Sequence, residues 1–116
     1  MQITRIYSGD DGQSHFEDID IDLISGAAGL ISAPWPAHSV LFREVDGDYA
    51  LDFHTAPRRQ LVVNLSGEVD IETGDGTVRR FGPGDILLAE DTHGQGHVSR
   101  AVASQARRCL FIPLAD

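Results

Sequence analysis

Apolar residues in this chain recur at every second position, in short runs bounded by glycine, proline, serine and aspartate. Ile19, Ile21 and Leu23 alternate with Asp18, Asp20 and Asp22. A period of two places one set on each face of a strand. Weaker alternation over 2–7 ends at the turn cluster Ser8-Gly9-Asp10-Asp11-Gly12. Further strands are predicted over 39–45, 49–54, 60–65, 68–72, 77–81, 86–89, 97–103 and 109–114. Gly74-Asp75-Gly76 and Gly82-Pro83-Gly84-Asp85 mark turns between them. Nowhere does a 3.6-residue period persist for three turns. Many short strands at even spacing imply an all-β sandwich, jelly roll or barrel.

The acids at 18, 20 and 22 raise the question of calcium. A calcium loop needs a glycine-bent turn and a distal Glu, and a straight strand supplies neither. The expectation is a solvated edge strand whose charges discourage further pairing. Ser25-Gly26-Ala27-Ala28-Gly29 reads as a small-residue loop. Pro34-Trp35-Pro36 reads as a second loop in which Trp35 plugs one end of a core.

Composition narrows the function. At 116 residues the chain is expected to form one domain, 1–116, with one core. A net charge of -9 argues against nucleic acid and against an anionic membrane surface. All nine basic residues are Arg, which removes Schiff-base lysine chemistry and a P-loop. One cysteine, Cys109, excludes an internal disulfide and a Cys-rich zinc site. No dinucleotide fingerprint appears, so no nucleotide cofactor is expected. No apolar run is long enough to span a bilayer and no leader is visible, so the cytoplasm is the expected location.

The stretch from Asp52 to His97 concentrates the chemistry. Asp52 and His54, two apart on a strand, are expected to share a face. Gln60, Val62 and Asn64 share a face of the next strand, and pairing of the two strands would bring Gln60 to the acid and imidazole. His97 would approach from further along. Two imidazoles and a carboxylate suit Fe(II), Mn(II), Ni(II) or Zn(II), with positions left for water and substrate. The neutral Gln60 amide suits hydrogen bonding to substrate. One member of Arg58-Arg59 could clamp a carboxylate or phosphate, and His93 reads as a rim residue. Glu90 has two readings. Buried at the mouth it would have a raised pKa and act as a general base; solvated, it would not.

These residues resemble the cupins. The first cupin motif runs His-x-His, three or four residues, Glu, six residues, Gly; six residues likewise separate Gln60 from Gly67, so Gln60 takes the Glu place. Asp52-x-His54 is similar to His-x-His with Asp for the first His. An alternative register makes His54 the first position and Ala56 the second. Gly84-Asp85 resembles the opening of the second motif, with Glu90 at its Pro place, His97 two residues late for its His, and Ala101 at its final Asn. The resemblance covers about 41–103 and implies a double-stranded β-helix, or jelly-roll, barrel. It also implies a divalent-metal pocket held by His54, His97 and Asp52, with Gln60, Asn64, Arg58, Arg59 and His93 around a small polar or anionic metabolite. Isomerase, lyase or dioxygenase chemistry fits such a site, as does a non-catalytic sensor with a metal-free pocket. A homodimer is expected.

Overall fold

Alternation of the kind just described produces twelve strands and no helix among residues 1–115, which the computed structural model describes. In chain order they are β1 (Gln2–Ser8), β2 (Ser14–Asp20), β3 (Ile24–Gly26), β4 (Gly29–Ile31), β5 (Leu41–Val45), β6 (Ala50–His54), β7 (Gln60–Ser66), β8 (Val69–Glu72), β9 (Val78–Phe81), β10 (Ile86–Glu90), β11 (His97–Ala101) and β12 (Arg107–Pro113). No helix is long and apolar enough to cross a membrane.

Two sheets carry most of the chain. One has six strands in the order β2-β1-β10-β7-β12-β5, and the other has four in the order β6-β11-β8-β9. Ladders are antiparallel except for β1, which runs parallel to β10 with Ile6 opposite Ala89. The acid-laced β2 lies at the edge of the large sheet, as its pattern implied. One expectation needs correction. Residues 25–29 do not form a plain loop but the middle of a two-stranded ribbon, β3–β4, turning at Ala27-Ala28. No ladder joins the two large sheets among the described residues, so the fold shown is all-β with two facing sheets.

Side chains from both sheets meet between them. Ile6 of β1, Val69 and Ile71 of β8, Phe81 of β9, and Leu87 and Ala89 of β10 form the inner core with Ala56. Each large apolar side chain buried this way contributes about 1.5–3 kcal/mol. A second cluster of Ile3, Leu88 and Leu114, packed by Ile19, Ile21, Leu61 and Ile86, covers the other face of the large sheet. That double coverage explains why β10 reads as an unbroken apolar run: Leu87 and Ala89 face inward while Leu88 faces outward. Trp35 belongs to the outer side, beside Ile3, Leu61 and Ile86, rather than plugging the inner core.

Candidate functional site

A cavity of about 220 Å³ lies between the two sheets. Its lining includes His54, His97 and Gln60, the apolar Val62, Val69, Ile71, Phe81 and Leu87, and Arg43, Tyr49 and Arg107. The strand registers set Tyr49 beside Ala101 and Arg43 beside Cys109, several residues along from His54, His97 and Gln60.

The imidazole end is built by a register irregularity. On the β6–β11 ladder, His97 opposes His54 and Ser99 opposes Leu51, so two steps on β11 match three on β6. That extra residue is a β-bulge, and it shifts which side chains face inward. Leu51 and His54 both line the cavity although they are an odd number of residues apart. The expected pairing of Asp52 with His54 on one face therefore fails. Asp52 is exposed, and its carboxylate accepts the backbone N–H of Phe53 at 2.8 Å. Ala56, the second position of the alternative register, is buried in the inner core and also lines the cavity. Gln60 does reach the site and is buried, but from the opposite sheet and not from a strand paired with β6.

The two rings stand 4.4 Å apart between centroids, tilted by 60°. Gly96 makes this approach possible. Its φ is +77°, and a Cβ there would fall 2.0 Å from the backbone oxygen of His54. Each ring is fixed by a hydrogen bond through Nδ1. His54 Nδ1 donates to the Asp52 carbonyl oxygen at 2.8 Å, and His97 Nδ1 donates to Asp91 Oδ2 at 2.5 Å. A carbonyl or carboxylate oxygen accepts, so a neutral ring in either position carries its proton on Nδ1 and its lone pair on Nε2. Burial lowers the pKa of His54, and the neighbouring His97 lowers it further, against the Asp52 hydrogen bond.

Asp91 is the residue that sequence reasoning missed. It is 0% exposed. Its Oδ2 also accepts Ser14 Oγ at 2.7 Å, while Oδ1 has no partner. Its signal was present: continuing the period-two pattern of Leu87 and Ala89 one step past β10 lands on Asp91.

The remaining candidates divide by face. Asn64 is buried and lines the cavity; its Nδ2 donates to the Gly67 carbonyl at 2.6 Å, and its Oδ1 has no partner. Arg58 is exposed and donates to Gln60 Oε1 at 3.3 Å from outside the cavity lining. His93 is likewise exposed and off the lining, where its backbone oxygen accepts Ser8 Oγ at 2.8 Å. Glu90 points away from the cavity. Since Ala89 faces inward, Glu90 projects from the outer face of β10, between Arg5 at 2.5 Å and Arg59. Partial burial pulls its pKa up, but the hydrogen bonds from Arg59 and Arg5 outweigh this and hold it below the ordinary carboxylate value. That is the reverse of the shift a general base would need, so the raised-pKa reading of Glu90 is corrected on both position and electrostatics.

Among the described residues no three of His, Cys, Asp and Glu are grouped to hold a metal ion. The donor set for a divalent ion is two imidazoles. It fits a metal in one respect: a ring whose Nδ1–H is held by a carboxylate or a carbonyl presents Nε2 as a ligand in a set orientation. It falls short in number, since the carboxylate expected from Asp52 is not at hand.

The class this defines is an all-β, two-sheet protein with a polar-ended internal cavity. No family model matches the chain, and no curated protein does. A solved structure, that of protein NMB1881 from Neisseria meningitidis, is similar. It is 17% identical, with a TM-score of 0.51 over 66% of this chain and 72% of the other. At that identity the likeness speaks to the fold alone.

Proposed function

We propose that the chain is a small cytoplasmic cupin of the jelly-roll type whose cavity binds and transforms a small polar or anionic metabolite, assisted by a divalent metal. The cupin assignment rests on the spacing of Gln60, Gly67, Gly84 and His97 and on the two facing sheets. His54 and His97 would hold the ion through Nε2, with Gln60 directed at substrate or water. When bound, a divalent ion would polarise an oxygen of the substrate and lower the pKa of a coordinated water. The observation that carries this reading is the pair of Nδ1 anchors, the Asp52 carbonyl and the Asp91 carboxylate, which leave both Nε2 lone pairs free on rings 4.4 Å apart.

The test is elemental analysis of protein loaded in turn with Fe(II), Mn(II), Ni(II) and Zn(II). One equivalent retained by the native chain and lost in the His54→Ala, His97→Ala double variant is expected. Folded protein that takes up none of the four would end the metal reading. The position of Asp52 outside the cavity favours a second reading, a metal-free binding or sensor domain on the same fold. In that case small anions would raise the melting temperature without any metal present.

A further inference from the structure

The imidazoles occupy one end of the cavity, and the opposite end presents a different problem. The chain carries eighteen acids against nine arginines. Arg5, Arg59, Arg79, Arg80, Arg100 and Arg108 each pair with a carboxylate. Arg43 and Arg107, which line the cavity, pair with none among the described residues. Arg107 is only 6% exposed, and its Nε is buried without a hydrogen-bond partner. What each guanidinium does meet is not a carboxylate, although Arg43 also donates a side-chain hydrogen bond to Tyr49. Arg43 Nη1 lies 3.8 Å and Arg107 Nη2 3.7 Å from the sulfur of Cys109, a poor acceptor. The Tyr49 ring lies 5.0 Å from the Arg43 guanidinium and 5.9 Å from that of Arg107, and Phe111 is 5.0 Å from Arg43. Asp85, the one carboxylate of the lining, accepts the Gly82 N–H at 2.7 Å and bridges to neither arginine.

Placing two guanidiniums in an enclosed space without a counter-charge opposes folding. Aromatic faces offset part of that cost, but they do not supply the planar, two-point acceptor that a guanidinium fork matches best, which is a carboxylate or phosphate. In an acidic chain with surplus carboxylates, leaving these two unpaired makes sense if the missing acceptor arrives with a ligand. We propose that Arg43 and Arg107 form an oxyanion subsite, so that the cavity takes a small organic anion with an apolar body. The acidic head sits at the arginines, the body lies along Val62, Phe81 and Leu87, and the far end approaches the imidazoles. The scale agrees with a short chain: Asn64 and Gln60 both line the cavity four residues apart on β7, Asn64 lies opposite the Cys109 that both arginines approach, and a strand rises roughly 3.3 Å per residue, giving roughly 13 Å between their backbones.

This deepens the reading of the cavity as a ligand site, and its test is separable from the metal test. Binding of hexanoate, inorganic phosphate and the neutral control hexan-1-ol is measured by calorimetry on the native chain and on the Arg43→Gln and Arg107→Met variants. Melting temperatures without ligand are taken alongside. Hexanoate is expected to bind more tightly than hexan-1-ol and to weaken by about tenfold or more in each variant. Phosphate should bind at the same arginines but more weakly, lacking a body to bury. Unliganded Arg107→Met is expected to melt at or above the native temperature, because a buried unpaired charge has been removed. If both anions fail to bind, or bind the two variants unchanged, or if Arg107→Met melts well below native, the arginines are structural and the proposal falls. Native chain that retains one metal equivalent while binding neither anion would overturn the subsite and leave the metal reading standing. Hexanoate binding that survives in His54→Ala, His97→Ala protein with no metal would uphold the subsite without it.

Discussion

His97 Nδ1 lies 2.5 Å from Oδ2 of Asp91, and the Asp91 side chain has no access to solvent. A buried carboxylate in that position sets the tautomer of the ring it touches and keeps Nε2 available. In Asp91→Asn the amide can donate to Nδ1, which moves the imidazole proton to Nε2 and removes the lone pair. Asp91→Asn is therefore expected to weaken Zn(II) binding by about 10–100-fold while the protein remains folded. Competition titration against a chromogenic chelator measures the first, and far-ultraviolet circular dichroism the second. Unchanged affinity in a folded variant would mean that the Asp91 contact does not tune the ring.

Acid should destabilise the protein through two groups in different pH windows. Above pH 6.5 His54 is neutral whether the chain is folded or not. Below that, the unfolded chain binds a proton that the folded state, with its lowered His54 pKa, refuses, so stability falls with falling pH. Glu90 acts lower down. Its folded pKa lies beneath the ordinary 4.5, so its contribution is complete above that value and is lost as the pH drops through the folded pKa. In urea titrations between pH 7 and pH 3, His54→Gln should flatten the upper part of the profile and Glu90→Gln the lower part. Glu90→Gln should also cost about 1–2 kcal/mol at pH 7, since it leaves Arg5 and Arg59 around a neutral amide.

Two glycines with similar backbones predict different costs. Gly76 has φ +86° with open space where a Cβ would go, whereas at Gly96, φ +77°, the Cβ would strike the His54 carbonyl. Gly76→Ala should lose about 1 kcal/mol, the conformational cost alone. Gly96→Ala should lose distinctly more and abolish metal retention, because the loop must move away from β6 and carry His97 with it. Equal urea midpoints for the two variants would show that the close approach at Gly96 does not hold the rings together.

How much of this was written in the chain depends on the range of the interaction. Alternation set the inward side of each strand locally, so Gln60 and Asn64 share the inward face of β7, though in the sheet opposite β6, and the hairpin turn at Gly76 lies where its glycines put it. The parallel insertion of β1 beside β10 has no local signature, since nothing near residue 6 names residue 89 as its neighbour. The bulge between Leu51 and His54 is also silent, because it arises from matching β6 to β11 and not from β6 itself. It was enough to bring His54 inward while Asp52 stayed outside. Glu90 illustrates the same limit for electrostatics: its partners Arg5 and Arg59 are distant in the chain, and they reverse the shift that burial alone would give.

The expected homodimer has a surface to form on. Phe42 is 85% exposed on β5, the edge strand of the large sheet, and Val40 and Leu41 beside it are exposed too. Ile24, Leu30 and Ile31 are exposed on the β3–β4 ribbon, which pairs with no other strand among the described residues. A two-stranded ribbon alone in water is marginal, and apolar side chains gathered at an open edge favour association. Sedimentation velocity should therefore give a dimer. Phe42→Asp should shift it to monomer, and Leu30→Asp should do the same if the ribbon reaches across. A dimer is needed for neither cavity end, because His54, His97, Arg43 and Arg107 all come from one chain. The monomeric variant is then expected to bind hexanoate and Zn(II) as the native chain does, whereas a native chain that sediments only as monomer would refute the association.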